Sequence, residues 1–252
     1  YDPYEFELPA FDKAAIVAQA RINEIQGVRQ TWFCGAWQRY GFHEDGIRSS
    51  MNVAKRIHDF EKEKFTTLYE NRLPLYKQMF ENAAMKTSLN SDLLAAISFQ
   101  ESQWDPKAKS NMGVRGMMMV TLETAALVGV EKRLNPEQNI NGGAKYFSML
   151  QQKNKIGLTE ADKLSITLAS YNLGPTNIKN IANSINNDVE KVTWSEIKNK
   201  LKTVKGSDLN LVDKESYSRG QQAIDYVNRV REFYLLMNAH DCVAPKDQLI
   251  FF

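Results

Sequence analysis

From about residue 59 onward, almost every periodic segment of the chain repeats its apolar residues at intervals of three and four, and no run of alternating strands interrupts the pattern. A helix turns once in 3.6 residues and a strand repeats every two, so this spacing restricts the region to helix packed on helix. In "LPLYKQMFENAAMK", Tyr76, Met79, Phe80 and Ala83 fall on one side, with Pro74 where a first turn tolerates the missing N–H. "NSDLLAAISFQES" offers Asn90 or Ser91 as N-cap and Asp92 in the first turn, where negative charge suits the helix dipole. Leu94, Ile97 and Glu101 share one face of that helix, while Leu93, Ala96 and Gln100 define a competing one. "NPEQNINGGAKYFSMLQQ" puts Ile140, Gly143, Phe147 and Leu150 on one side, with Gly143 open to the close approach of a neighbour. "TEADKLSITLASYNLGPT" starts with a capping-box pattern at Thr159 and Asp162 and stops at Gly174-Pro175, leaving Tyr171 at the C-terminal mouth of a buried helix. A last helix, "QQAIDYVNRVREFYLLM", carries Ile224, Val227, Val230 or Arg231, and Tyr234 at helical spacing.

The first 57 residues read differently: "TWFCGAWQRYGFHEDGIRSSMNVAKRI" runs from a β-prone, aromatic start through glycines into a helix-like stretch. A length of 252 residues suits one domain plus an appendage. The expected division is an α/β-like appendage at 1–57, a linker or helix at 58–73 around the charged "HDFEKEKF", a mainly α-helical domain at 74–240 and a tail at 241–252. A net charge of +2 gives no pull toward nucleic acid, and none is expected as a partner. Cys34 and Cys242 match no zinc or CxxC spacing, so free thiols and a disulfide are both open. No apolar run reaches the roughly 20 residues that span a bilayer. The start "YDPYEFELPAF" has neither an initiator Met nor a signal-peptide layout. The chain is therefore expected to be a fragment, with any export or membrane association supplied by sequence outside it.

One residue in the helical region asks for an explanation. "AAISFQESQWDPKAKS" places Glu101 at the end of an apolar helix just before an Asp-Pro stop, with no second carboxylate, histidine or metal ligand beside it. A solvated or capping glutamate is the plain alternative. Downstream, "SNMGVRGMMMVT" has glycines at 113 and 116 that let backbone approach a ligand, and Met117, Met118 and Met119, which form either core or an adaptable apolar wall.

These segments, "LLAAISFQESQWDPKAKS", "GVRGMMMVT", "NPEQNINGGAKYF" and "LASYNLGP", occur in the order and spacing of the soluble lytic transglycosylase domain of the lysozyme-like superfamily, and over about residues 65–240 the chain resembles that family, closest to its membrane-bound subfamily F. Met119 stands where many of the wider superfamily have Gln; subfamily F has Met there. Gln103 replaces a His common in that subfamily, and Met117 a Leu. The resemblance implies a lysozyme-like helical domain of the goose-type class that cleaves the β-1,4 bond between N-acetylmuramic acid and N-acetylglucosamine of peptidoglycan glycan strands, leaving 1,6-anhydro ends in the periplasm, often at the outer membrane. It implies Glu101 as the sole catalytic acid and base, and substrate contacts from Ser102, Ser110, Arg115, Gly116, Met118, Met119, Tyr171 and Asn172. No cofactor and no metal are expected.

A single carboxylate is chemically sufficient for such a reaction. Ordinary glycosidases use two, one as acid and one as nucleophile or water-activating base. A muramic acid residue supplies its own nucleophile, the C6 hydroxyl, and an intramolecular attack gains a large effective molarity. A glutamate kept protonated by apolar surroundings donates to the glycosidic oxygen, then takes the C6 hydroxyl proton as the anhydro ring closes. Three alternatives remain: a hydrolase of the same fold, with Asp105 or Glu123 holding a water, a non-catalytic peptidoglycan-binding module, and a flavoprotein fragment.

The N-terminal stretch resembles the C-terminal segment of flavin amine-oxidase-like oxidoreductases, which implies Gly35, Glu44, Asp45 and Gly46 near a flavin. The dinucleotide fingerprint GxGxxG is missing, so no bound FAD is expected. His43, Glu44 and Asp45 are consecutive and cannot readily all face one metal ion.

Overall fold

In a computed structural model, the described residues are 13–26, 28, 31–38, 43–110, 113–203 and 219–243. The chain divides into two compact units, Tyr1–Asn71 and Arg72–Phe252.

The first unit holds α1 (Lys13–Ala20), α2 (Ile22–Ile25) and α3 (His43–Asn71). Its expected α/β character is not found: among the described residues it contains helices and turns and no strand. The β-prone run finds a side chain where a strand would find a neighbour. Gln26 Nε2 donates to Phe33 O at 2.6 Å and Phe33 N donates to Gln26 Oε1 at 2.8 Å. The boundary expected near residue 57 also falls elsewhere, because α3 runs unbroken through "HDFEKEKF". A mixed run of Glu and Lys reads as a solvated linker, but both residues are good helix formers and continue a helix as readily as they end one. Glu44 and Asp45 occupy the first turn of α3, where they suit the dipole and would repel a phosphate.

The second unit is a bundle of α4 (Lys77–Thr87), α5 (Ser91–Ser102), α6 (Leu122–Val128), α7 (Pro136–Lys153), α8 (Glu160–Leu173), α9 (Pro175–Ile185), α10 (Trp194–Thr203) and α11 (Arg219–Val243). Pro74 lies in a short 3₁₀ turn, Leu73–Leu75, one step ahead of α4. At the other end α11 continues to Val243, past the start of the expected tail at 241. Helix α5 is central: it packs chiefly against α11 and also against α4, and α8 packs on α11 and α7. That position resolves the two competing faces of α5, since Leu93 to Phe99 are all buried. Neither face wins because neighbours cover both.

The caps follow the expected chemistry. Asn90 Oδ1 accepts from Leu93 N at 2.9 Å, and the Thr159–Asp162 capping box is complete at the start of α8. Asp162 does more than cap, because its Oδ1 also accepts from Trp194 N at 2.8 Å and so ties α8 to α10. Burial pushes the Asp162 carboxyl up, but bonds from Thr159 and Trp194 outweigh it and hold the group below its ordinary value. Asp162→Ala removes a cap and an inter-helix bond together. Urea denaturation at pH 7 is expected to show a loss of about 2 kcal/mol.

Candidate functional site

Glu101 is the penultimate residue of α5. The helix stops not at Asp105-Pro106 but earlier, at two successive left-handed residues, Gln103 (φ 54°) and Trp104 (φ 57°). Such conformations cost roughly 1–3 kcal/mol each in a residue other than glycine and persist only where the surroundings over-determine them. Here they do. Trp104 is fully buried, its Nε1 donates to Ala95 O at 2.9 Å, and its ring lies 4.7 Å from that of Phe99. Gln103 N donates to Phe99 O at 2.8 Å and Arg72 Nη1 to Gln103 O at 3.0 Å. The strained exit thus fixes the last turn of α5, and with it the glutamate. Asp105 Oδ1 accepts from Lys107 N at 2.9 Å, closing a local turn.

The methionine segment is pinned beside this turn. Met117 O accepts from Ser98 Oγ at 3.0 Å and from Ser102 Oγ at 2.8 Å. Met118 O accepts from the Tyr171 hydroxyl at 2.8 Å, and Met118 N donates to Asn139 Oδ1 at 2.7 Å. Asn139 Nδ2 donates onward to Arg115 O at 2.9 Å and Arg133 O at 2.8 Å. Gly116 has φ +83°, and a Cβ there would lie 2.3 Å from Arg133 O, so only glycine fits. Gly143 answers the expectation of close approach: its missing Cβ leaves room for Met118, whose Cβ and Sδ would each stand 2.6 Å away.

The electrostatics single out Glu101. Burial raises its carboxyl to about 7, against an opposing influence from Tyr226. The Tyr226 hydroxyl is itself buried and lacks a partner of good hydrogen-bond geometry, yet stands close enough to Glu101 to favour the ionised acid. Burial, then the Glu101 charge, push the hydroxyls of both Tyr171 and Tyr226 well up. Tyr146 joins them, its ring centroid 5.7 Å from that of Tyr171, and burial raises its hydroxyl too. Among the described residues, no carboxylate figures among the influences on Glu101.

These contacts sort the expected site residues. Glu101 and Tyr171 come together. The Ser102 hydroxyl is taken by Ser98 O and Met117 O and serves to hold the loop. Met118 is fully buried, so its side chain is core and cannot meet a ligand; Met119, at φ 45°, is the partly exposed methionine of the three. Gly116 is buried and acts through its backbone. Ser110 Oγ accepts from Val114 N at 3.3 Å inside its own turn. Arg115 and Asn172 are exposed, and among the described residues no carboxylate pairs with Arg115. Cys34 is an exposed free thiol; the Cys242 side chain lies outside the described residues. Among the described residues no cluster of three His, Cys, Asp or Glu could hold a metal ion, and no helix is long and apolar enough to cross a membrane.

Sequence reasoning missed Asn139, Tyr146 and Tyr226. Asn139 had a signal: it precedes Gly143 by four residues and so lies on the apolar stripe of α7, where a polar side chain needs partners. Tyr226 had a weaker one, a tyrosine between the buried Ile224 and Val227.

Next to this centre, a cleft of about 980 Å³ runs between the C-terminal part of α7 and α9. Glu101 does not line it, but Tyr146 and Ser170 do, so the Tyr146–Tyr171 pair connects it with the carboxyl.

Among the described residues, the helical bundle of the second unit thus ends its central helix in a partly desolvated glutamate that faces tyrosines from α8 and α11. Residues 78–193 match the model of the transglycosylase SLT domain family. Over 176 residues the chain is 39% identical to a membrane-bound lytic murein transglycosylase F of Saccharophagus degradans, covering 69% of this chain and 35% of that protein. Over 181 residues it is 38% identical to the protein of the same name from Maricaulis maris, covering 71% and 39%. The chain thus spans between a third and two fifths of the length of these relatives. Among solved structures, the 70 kDa soluble lytic transglycosylase of Escherichia coli aligns with a TM-score of 0.41 at 21% identity, over 64% of this chain and 24% of that one.

Proposed function

We propose that the chain cleaves the β-1,4 bond between N-acetylmuramic acid and N-acetylglucosamine in peptidoglycan without water, leaving 1,6-anhydromuramoyl ends. The observation that carries this reading is the half-buried glutamate at the end of α5, whose carboxyl desolvation pushes up to about 7 with no carboxylate among the described residues acting on it. Near neutral pH such a group is protonated often enough to donate to the leaving oxygen, and once ionised it is basic enough to take back a proton. Asp105 and Glu123, the residues a hydrolase would use to hold water, are otherwise placed: Asp105 closes its own turn, and Glu123 is exposed in the first turn of α6. The sugar's C6 hydroxyl takes the place of that water. The Tyr171 hydroxyl, held on Met118 O, keeps its ring against the reacting centre, and Met119 and the exposed Asn172 offer apolar and amide contacts to the N-acetyl groups. Action in the cell envelope is supported by the relatives, which are named membrane-bound.

Mass spectrometry of muropeptides released from purified sacculi tests the reading. Anhydro ends are expected; reducing ends would mean hydrolysis and would sink it.

A second expectation concerns Tyr226. Its hydroxyl favours ionised Glu101, so Tyr226→Phe raises the carboxyl further. Protonated Glu101 is the donor, and kcat/KM therefore falls as pH rises through about 7 in the wild type. In the variant that alkaline limb moves to higher pH, which a pH–rate profile measures directly.

A further inference from the structure

We propose that the cleft between α7 and α9 is a binding site for the carboxylate-bearing peptide stems that hang from the glycan strand. The inference rests on the reading of the chain as a peptidoglycan-cleaving enzyme and goes beyond it by assigning a second part of the substrate to a second place on the surface.

Three observations converge. The first is charge. Lys153, Lys155 and Lys179 line the cleft and are exposed. Among the described residues none of the three has a carboxylate partner, whereas two nearby lysines do: Lys163 pairs with Glu160 and Lys191 with Asp188, each at 2.8 Å. Those two are neutralised, and the three that line the cleft are not. Second, Asn154 holds the backbone that carries Lys153 and Lys155, its Nδ2 donating to Lys163 O at 3.0 Å and Thr167 Oγ1 at 3.1 Å while its Oδ1 accepts from Ile156 N at 2.9 Å. Both lysines therefore project from a fixed base. Third, α9 begins in the cleft with Pro175 and Thr176; no side chain caps this N-terminus and no acidic residue sits in its first turn. Its dipole adds positive potential at the same spot.

Three lysines without carboxylate partners and an uncapped helix N-terminus suit an anionic ligand better than a neutral sugar. Short peptide stems fit better. They carry free carboxylates for the lysines and the α9 terminus, and small methyl groups for the buried Leu150 and Ile156 on the apolar part of the wall. The volume of about 980 Å³ suits a ligand of several residues. The cleft also borders the candidate site: Tyr146 lines it and packs on Tyr171, whose hydroxyl feels the Glu101 charge.

The test uses the full chain with Lys153→Gln, Lys155→Gln and Lys179→Gln combined, assayed on glycan that bears its stems and on the same glycan stripped of them by an amidase. The expected result is a fall in kcat/KM of about tenfold on the stem-bearing strand and none on the stripped strand, with recovery when the three lysines are replaced by arginine. Equal loss on both substrates would make the cleft a sugar subsite, and no loss on either would make the lysines idle; each overturns the proposal. A binding arm separates this failure from failure of the proposed activity. Titration calorimetry on the Glu101→Gln protein compares a free acidic stem tetrapeptide with its fully amidated form. Preferential uptake of the acidic peptide, abolished by the lysine substitutions, supports the site even where no anhydro product forms; equal affinity for the two peptides overturns it even where cleavage proceeds.

Discussion

Glu101→Gln is expected to lower the release of anhydro-muropeptides from sacculi by at least about 10³-fold, because in the proposed reaction one side chain supplies both proton transfers and the amide can supply neither. Glycan binding persists, since glutamine keeps the shape and the neutral charge of the protonated acid. A variant that still cleaved within tenfold of wild type would remove Glu101 from the chemistry. The same substitution should change stability in the opposite direction. The carboxyl titrates near 4.5 in an unfolded chain and near 7 in the folded one. Below about 4.5 both states hold the proton and the group contributes nothing. Between those values the folded state binds more protons than the unfolded one, so stability falls as pH rises, and above about 7 the cost of the buried charge is fully present. Glu101→Gln escapes that cost. Its denaturation midpoint should match wild type near pH 4 and exceed it at pH 8, by an amount on the order of 1–3 kcal/mol. Activity lost and stability gained, with this pH dependence, is the signature of a carboxyl kept neutral for use.

Asn139→Leu is expected to destabilise the second unit by about 3–5 kcal/mol, the largest effect of any single substitution away from the acid. The side chain has similar volume, but the change leaves Met118 N, Arg115 O and Arg133 O without the partner they share in the buried Asn139 amide. Each unsatisfied buried group costs roughly 1–3 kcal/mol. The consequence should reach the site, because the same segment presents Met118 O to Tyr171 and Met117 O to Ser102. Guanidinium denaturation gives the stability loss, and near-UV circular dichroism of the tyrosines and Trp104 shows whether the segment has come loose. A loss under 1 kcal/mol would mean that water or a rearranged backbone replaces Asn139.

Which residues form the site was only partly legible in the linear order. Glu101 stood out because a charged group ends an apolar helix, and Tyr171 because it precedes the Gly174-Pro175 stop. Ser102 and Met118 were assigned to the ligand by analogy of position, and the structure turns both inward: the hydroxyl of one bonds the loop, and the side chain of the other fills the space over Gly143. Their roles depend on what stands opposite, and nothing local encodes that. Tyr226 is the extreme case, 125 residues from Glu101 in the chain yet a side chain that acts on its carboxyl, against the larger effect of burial.

What the sequence determined by itself is the existence of α4, α5, α7, α8 and α11 and several of their caps, because periodicity, Asn90, Thr159 with Asp162, and Gly174-Pro175 act within one or two turns of backbone. It did not determine where the first unit ends, since the glutamates and lysines of "HDFEKEKF" suit a solvated linker and a solvated helix equally. Only the tertiary structure decided that α5 is enclosed on both faces, and that Glu101 at its end is partly shielded from water. The physical reason is that desolvation is a property of everything packed around a group, so α4, α8 and α11 must all be in place before a glutamate titrates like an acid near neutrality.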